Sequence, residues 1–293
     1  MLRSGLIYAV SGVDLPASVL MSALLASLVI SILSAFYMSV TEQLAHDRNQ
    51  YIERFNLEME IARKFQMAIL PDGEHTLSGV QIGVRYVPYF ELSGDIFDIY
   101  LLQSGKVRVF LADISGHGVQ SSLLGMSLKT YYNNLREEYD SVDTVLEKLN
   151  EFFYNKLSLH GQFATAFLID IDTEEKTLSY SSAGHLPQIL VSSLNFRYMK
   201  SGGRPLGVVR EVHYQRVTVN YNSGDQILLF TDGLTDGLKN ENFDDQYREL
   251  EKMLRPLLNQ KPLTLLNSLI YEVDRMNKSA DPLDDIALLS IKL

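Results

Sequence analysis

The feature that most constrains this chain of 293 residues is a long run near its N-terminus without a charged side chain. No Asp, Glu, Lys or Arg occurs between Asp14 and Glu42, and Leu, Val, Ile and Ala dominate the run. At a rise of about 1.5 Å per residue, such a helix is longer than the roughly 20 residues that cross a bilayer. The run predicts one transmembrane helix over about residues 15–40, within an N-terminal segment 1–40.

A cleaved signal peptide is the alternative interpretation of this run, but its apolar part would be shorter and would follow a basic flank. Arg3 precedes the run, whereas Arg48 and Arg54 follow it. Because cytoplasmic flanks are enriched in Lys and Arg, this small excess favours a cytoplasmic C-terminal side. We therefore expect a single-pass protein of the cell inner membrane with the domain that follows the span in the cytoplasm.

Residues 41–70 have the composition of a helical linker, since no Gly or Pro occurs before Pro71. An alternating four-three spacing relates Leu44, Arg48, Tyr51, Phe55, Glu58, Ala62, Phe65 and Ile69. Six of these residues could pack in a coiled-coil seam between two copies of the chain, while the two charged ones would weaken it. A single amphipathic helix lying on the following domain is the alternative. The segment predicts a helix and leaves a homodimer open.

The remaining residues, 71–293, alternate between strand and helix patterns. Short apolar or alternating runs predict strands at 80–89, 96–102, 107–111, 163–171, 177–182, 187–194, 212–220, 225–230 and 286–293. Helical patterns cover 119–136, 142–159, 244–258 and 263–277. Helices that are grouped between runs of strands indicate an α+β domain rather than alternating βαβ units.

Composition excludes several kinds of site and partner. The formal net charge of −10 argues against nucleic acid as the main partner, because phosphate backbones are bound by basic surfaces. The chain has no cysteine, so disulfides, thiolate zinc sites and cysteine nucleophiles are excluded. A serine hydrolase is disfavoured because no Gly-x-Ser-x-Gly elbow occurs.

Aspartates far apart in the sequence occur at predicted strand ends or turns. Asp95 and the Asp284-Asp285 pair directly precede predicted strands, whereas Asp113 and Asp232 lie at the ends of apolar strand-like runs. One such acid is usually a turn former or a helix cap. Several at equivalent positions, two of them with glycine nearby, favour oxygen ligation of a hard ion such as Mg²⁺ or Mn²⁺. The pattern favours a metal-dependent hydrolase of phosphate esters.

Two histidines lie in turns of this predicted domain. His117 lies in the glycine turn after Asp113, where its ring could protonate a leaving oxygen or bond its own backbone. His185 lies in a turn between two predicted strands, and a structural role is favoured for it. The residues alone leave both interpretations of His117 open.

Six motifs in order resemble those of the SpoIIE/RsbU-type bacterial serine phosphatases, a branch of the metal-dependent protein phosphatases with the protein phosphatase 2C-like fold. They are Ser93-Gly94-Asp95-Ile96-Phe97-Asp98, Ala112-Asp113-Ile114-Ser115-Gly116-His117-Gly118, Ala183-Gly184-His185, Pro205-Leu206-Gly207, Thr231-Asp232-Gly233-Leu234-Thr235-Asp236 and Asp284-Asp285-Ile286. The resemblance runs from about Glu58 to Leu293. Departures from the family pattern occur at Ser93, Phe230 and Asp236, and none removes an expected ligand.

The resemblance implies an α-β-β-α sandwich with two Mn²⁺ or Mg²⁺ ions at one end. The ligands it implies are Asp95, Asp113, the Ile114 carbonyl, Asp232 and Asp284, with Asp113 bridging the two ions. Whether Asp285 rather than Asp284 is the ligand stays open. The family reaction is direct attack of a metal-activated water on phosphoserine or phosphothreonine. Its usual substrates are phosphorylated anti-sigma factor antagonists, which are STAS-domain proteins of partner-switching pathways.

Two other functions compete with a phosphoprotein phosphatase. The first is a non-catalytic module of the same fold that binds a phosphoprotein, and the complete set of acids disfavours it. The second is a two-metal phosphoesterase that acts on a nucleic acid or a small molecule. The acidic composition disfavours a long nucleic acid and leaves a small phosphoester open.

Overall fold

The computed structural model describes residues 16–89, 92–157, 161–238, 242–276 and 284–293. By its internal contacts the chain divides into two units, Met1–Glu58 and Met59–Leu293. Helix α1 (Ala17–Ile69) is continuous through both the predicted membrane span and the predicted linker. The predicted domain boundaries at residues 40 and 70 remain predictions, and residues 1–15 of the N-terminal segment lie outside the described residues.

In its described residues, the first unit consists of Pro16 and the part of α1 that ends at Glu58. Pro16 precedes the helix, and no Gly or Pro interrupts it. Among the described residues, α1 is the one helix long and apolar enough to cross a membrane. Its apolar side chains, such as Leu24 and Phe36, are exposed along the helix, as lipid contact would require.

The second unit contains two antiparallel sheets and five further α-helices in the described residues. The strands are β1 (Gly73–Leu77), β2 (Val80–Val87), β3 (Ile96–Leu101), β4 (Val107–Ile114), β5 (Ala164–Asp172), β6 (Thr177–Ala183), β7 (Gln188–Ser192), β8 (Asn195–Met199), β9 (Val217–Asn220), β10 (Gln226–Phe230) and β11 (Ile286–Lys292). The helices are α2 (Val119–Leu135), α3 (Val142–Phe152), α4 (Gly233–Asp236), α5 (Phe243–Leu254) and α6 (Pro262–Met276). One sheet has the order β1-β2-β11-β10-β7-β8 and the other β3-β4-β5-β6-β9.

The core lies between the two sheets, and strand alternation builds it. In β4, Val109 and Leu111 face this inner core, whereas Phe110 and Ala112 face the helices on the outside. Such strands read as continuous apolar runs because both of their faces are buried.

Helices cover both outer faces of the sandwich. Leu128 of α2 and Leu146 of α3 are buried against the sheet that contains β4. Leu250 of α5 and Leu266 of α6 are buried against the sheet that contains β10 and β11. Each fully buried leucine side chain contributes about 1.5–3 kcal/mol of transfer free energy. The predicted α-β-β-α architecture is confirmed.

Several element predictions need correction. β1, β8 and α4 were not predicted, and the predicted strand 212–220 is reduced to β9. β1 and β8 are edge strands of five residues, and exposed residues interrupt their apolar pattern, so periodicity barely marks them. Helix α3 ends in a π-helical turn, Phe153–Leu157, rather than continuing as α-helix. The predicted helix ends at 159 and 277 lie outside the described residues.

Candidate metal centre

The pairing of β3 with β4 brings the first two acids together. The strands are antiparallel, with Ile96 opposite Ala112. The start of β3 therefore lies beside the end of β4, so that Asp95 and Asp113 meet at one edge of the sheet. Asp95 is buried, with 2 % of its surface exposed, and Asp113 is half-buried.

In the other sheet, the pairing of β10 with β11 brings Asp232 and Asp284 together. These strands are antiparallel, with Phe230 opposite Leu288. The chain leaves β10 at Asp232 beside the point where Asp284 leads into β11. The turn is tight at Gly233, where a Cβ atom would lie 2.1 Å from the Asp285 carbonyl oxygen. Only glycine fits there without moving the backbone.

A threonine hydroxyl joins the two sheets at this end. The Thr231 hydroxyl donates to Asp95 Oδ2 at 2.7 Å. It also accepts from the Ala287 N–H at 2.9 Å. Because Thr231 and Ala287 belong to one sheet and Asp95 to the other, this hydroxyl fixes the separation of the acids that the two sheets carry.

The acids surround an open cleft with a volume of about 490 Å³. Its walls include Tyr89, Asp113, Ile114, Ser115, Gly116, His117, Phe163, Thr165, Asp232, Asp284 and Asp285. Five of the six predicted site residues thus line one cleft. Asp95, the sixth, is buried rather than part of the wall, and it is within electrostatic reach of Asp113.

The electrostatics of the cleft are dominated by like charges. Burial, together with the charges of Asp232 and Asp284, raises the pKa of Asp113 to about 7. Burial and the charge of Asp236 raise the pKa of Asp232 to about 6, although Asp232 lies at the exposed rim. Carboxylates that raise one another's pKa values in this way favour binding of a cation.

The two innermost acids are held by hydrogen bonds. Burial and the charge of Asp113 raise the pKa of Asp95 well above its ordinary value, and the hydrogen bond from Thr231 opposes this. Burial also raises the pKa of Asp285, whose Oδ1 accepts from the Tyr89 N–H at 2.8 Å. A hydrogen bond from Ser93 lowers the pKa of Asp285 in turn. Asp285 therefore holds the backbone of Tyr89 and the hydroxyl of Ser93 beside the cleft, whereas Asp284 Oδ1 accepts from the Asp285 N–H at 2.8 Å.

His185 has structural contacts. Its Nε2 lies 3.2 Å from the Phe230 carbonyl oxygen, which can only accept, so Nε2 carries the proton. Its Nδ1 then accepts from the Thr165 hydroxyl at 2.7 Å. Burial lowers the pKa of His185 to about 4, so the ring is neutral near pH 7. The ring braces the end of β10 against Thr165 in the wall of the cleft.

Asp98, the second acid of the first motif, belongs to a different contact. Its carboxylate accepts from Lys129 at 2.7 Å and from Arg136 at 2.6 Å, and both of these residues lie at α2. All three side chains are largely buried. Asp98 therefore fastens α2 to β3. Of the two acids in this motif, Asp95 belongs to the candidate site and Asp98 stabilises the fold.

The residues present fit a hard divalent ion. The available donors are carboxylate and carbonyl oxygens, which Mg²⁺ and Mn²⁺ prefer. Within the described residues, no group of three acidic or histidine side chains encloses a common point closely enough to hold an ion unaided. Mg²⁺ is commonly held by one or two carboxylates and keeps several waters, so a wide carboxylate cleft suits it.

Sequence reasoning missed the residues that hold the acids in position. Thr231 and Ser93 belong to two of the six motifs, but the sequence alone indicates no role for their hydroxyls. Asp236 contributes to the raised pKa of Asp232, and it too was unassigned. The sequence contains one signal for the role of Thr231: a threonine at the end of a buried strand needs a hydrogen-bond partner for its hydroxyl.

Comparison with solved structures defines the class of the domain. The SiaA PP2C domain of Pseudomonas aeruginosa superimposes with a TM-score of 0.72 at 21 % identity, over 82 % of this chain and 98 % of that domain. The second unit therefore has the fold of PP2C domains, as the sequence predicted.

Comparison with sequences defines the family. Residues 103–293 match the family model described as Stage II sporulation protein E (SpoIIE). The chain belongs to the SpoIIE family, which confirms the predicted relationship. Phosphoserine phosphatase RsbP of Bacillus subtilis is 26 % identical, over 70 % of this chain and 54 % of RsbP. Phosphoserine phosphatase RsbU of the same organism is 26 % identical, over 67 % of this chain and 58 % of RsbU. The chain thus spans little more than half the length of these relatives.

The raised pKa values predict how the stability of the metal-free protein depends on pH. Asp113 and Asp232 titrate near 7 and 6 in the folded chain, above the value of about 3.9 for an unfolded Asp. Between about pH 4 and pH 7 the folded chain therefore binds more protons than the unfolded chain, and its free energy of unfolding falls as pH rises. Thermal unfolding in EDTA from pH 5 to 8 should show a falling Tm.

The variant Asp113→Asn is the matched control, because it keeps the shape of the side chain and removes the titrating charge. Its Tm should fall less steeply over the same range. A wild-type Tm that rises with pH in EDTA would contradict the electrostatic description of the cleft.

Proposed function

We propose that this protein is a metal-dependent serine/threonine protein phosphatase. The observation that carries the proposal is that Asp113, Asp232 and Asp284 from two sheets line one open cleft of a PP2C fold, with Asp95 buried within electrostatic reach of Asp113. Membership of the SpoIIE family and similarity to phosphoserine phosphatases support it. Because these relatives are phosphoserine phosphatases, we propose phosphoserine on a protein as the substrate class.

The proposed ligands divide into two groups. Asp113 would bind both ions. Asp232 and Asp284 would complete the ligands of one ion, and Asp95 with the Ile114 carbonyl would bind the other. Two bound Mg²⁺ or Mn²⁺ ions would supply a water of lowered pKa and would neutralise the phosphate. After burial, the charges of Asp232 and Asp284 do most to raise the pKa of Asp113, and the charge of Asp113 in turn raises the pKa of Asp95, which supports a position of Asp113 between the two groups.

His117 is the proposed proton donor to the leaving serine oxygen. It lies in the exposed turn after β4 and lines the same cleft as Asp113. A serine alkoxide is a poor leaving group, so proton transfer to it is expected to matter. The positive φ angles of Gly116 and Gly118 let this turn bend on both sides of His117.

The rim of the cleft favours a protein substrate over a small phosphoester. Phe163 and Tyr89 line the cleft and leave 38 % and 41 % of their surfaces exposed. Phe163 is fixed there by its backbone, since its carbonyl accepts from the Ser115 N–H at 2.9 Å and its N–H donates to the Ser115 hydroxyl at 3.0 Å. Rigid aromatic side chains of this kind provide contact area for a polypeptide.

The biological setting follows from the family resemblance and from α1. A phosphorylated STAS-domain anti-sigma factor antagonist is the proposed partner. The protein would be anchored in the inner membrane by α1, with its phosphatase domain in the cytoplasm. Phe55 and Phe65 of the predicted seam are exposed on α1, which supports pairing of two copies through this helix.

The activity is tested by phosphate release from a phosphoserine-containing STAS-domain protein, using the full chain in detergent. We expect turnover that requires Mn²⁺ or Mg²⁺. Asp113→Asn should lower kcat/KM on the order of 100-fold or more, because the ions contribute several kcal/mol to the transition state. His117→Gln should slow release from phosphoserine more than release from p-nitrophenyl phosphate, whose leaving group needs no proton.

The alternatives give different results in the same assay. Metal-dependent binding of the phosphoprotein without phosphate release would indicate a binding module. Faster release from nucleotides than from the phosphoprotein would indicate a small-molecule phosphoesterase. Either result would contradict the proposed activity.

A second experiment tests the aromatic rim. Phe163→Ala removes an apolar contact worth about 1.4 kcal/mol, so the KM for the phosphoprotein should rise about tenfold. The KM for p-nitrophenyl phosphate should stay within about twofold. Tyr271→Ala is the control, because Tyr271 is an exposed aromatic residue on α6 that does not line the cleft. Equal effects of Phe163→Ala on both substrates would refute the assignment.

A further inference from the structure

Gln66 is the one side chain of α1 that is buried, with 3 % of its surface exposed. The other residues of this helix are at least partly exposed. A buried amide is stable only if its donors and acceptor are satisfied. The partners of Gln66 therefore show what this polar group stabilises.

Both ends of the Gln66 amide bind the backbone of one residue. Nε2 donates to the Ser93 carbonyl oxygen at 2.8 Å, and Oε1 accepts from the Ser93 N–H at 3.2 Å. Nε2 also donates to the Ser122 hydroxyl of α2 at 3.1 Å. The side chain thus holds the backbone of Ser93 at two points, as a neighbouring strand would.

Ser93 passes this constraint to Asp95. The Ser93 hydroxyl accepts from the Asp95 N–H at 3.0 Å and hydrogen-bonds Asp285. Gly94, between them, lies against the end of β4: a Cβ atom on Gly94 would be 2.9 Å from the Ile114 carbonyl oxygen. The turn that Gln66 holds therefore contains Asp95 and packs against the Ile114 carbonyl.

We propose that Gln66 is a positioning residue for the metal ion that Asp95 and the Ile114 carbonyl would hold. The inference rests on the proposed metal site and adds a residue that touches neither metal nor substrate. Without Gln66, the backbone of Ser93 would lose both hydrogen bonds to the amide side chain, and Asp95 would be free to adopt positions that do not bind the ion. Loss of a group that orients a metal ligand typically weakens metal binding about 10–100-fold.

The test compares wild type with Gln66→Met, which keeps the length of the side chain and removes its hydrogen bonds. Mn²⁺ binding to the full chain in detergent is followed by electron paramagnetic resonance of free Mn²⁺ and by the Mn²⁺-induced rise in Tm. One of two binding steps should weaken about 10–100-fold while the other stays within about threefold. Phosphatase kcat should recover at saturating Mn²⁺, since the reacting groups are intact.

Two further variants separate positioning from general support of the helix. Ser122→Ala removes only the contact to α2 and should bind Mn²⁺ like wild type. Ser93→Ala leaves Gln66 unchanged, removes the acceptor of the Asp95 N–H, and should weaken the same binding step. If Gln66→Met fails to fold, this variant still tests whether the Ser93 turn positions Asp95, and wild-type Mn²⁺ binding would then count against the proposal.

Three results would overturn the proposal. Wild-type Mn²⁺ affinity in both Gln66→Met and Ser93→Ala would show that the turn does not need this support. A lowered Tm of the metal-free Gln66→Met variant with unchanged Mn²⁺ binding would show a role in stability alone. Wild type that binds no Mn²⁺ would remove the proposed metal site itself, and the role of Gln66 with it.

Discussion

The hydrogen bond from the Thr231 hydroxyl to Asp95 is the interaction on which the site depends most. It connects the end of β10 to the start of β3, and these strands belong to different sheets. The core between the two sheets is apolar, and apolar packing fixes their separation but not the relative position of two carboxylates. A single short hydrogen bond adds the directional constraint that apolar packing lacks. The same hydroxyl accepts from Ala287, so the donor itself is fixed.

Gathering carboxylates in a partly buried cleft is unfavourable, and the fold offsets this cost locally. Thr231 and the Tyr89 N–H stabilise the charged forms of Asp95 and Asp285. Asp113 and Asp232 receive less help, and burial with mutual repulsion raises their pKa values to about 7 and 6. A divalent cation would remove this repulsion, so the cleft is more stable with an ion than without one. If the proposed ions bind, the repulsion that destabilises the metal-free cleft would also be the source of its metal affinity.

The sequence allowed prediction of the sandwich and of the acids but not of what holds the acids. Asp113 and Asp232 follow continuous apolar strands, so their position at a sheet edge could be inferred from pattern alone. Gln66 could not be identified, because an isolated polar residue in a polar helix carries no signal of burial until its partner Ser93 is known. Edge strand β8 could not be predicted for a related reason. An edge strand needs few apolar residues, so its alternation of apolar and polar residues is weak.

The central claim is that the carboxylate cleft binds two ions that share Asp113. Crystals of the protein grown with Mn²⁺ and measured at the manganese absorption edge test it most directly. The anomalous difference map should show two peaks in the cleft about 3.5–4 Å apart, with Asp113 in contact with both. A map without a peak in the cleft, at a Mn²⁺ concentration that supports phosphate release, would contradict the account.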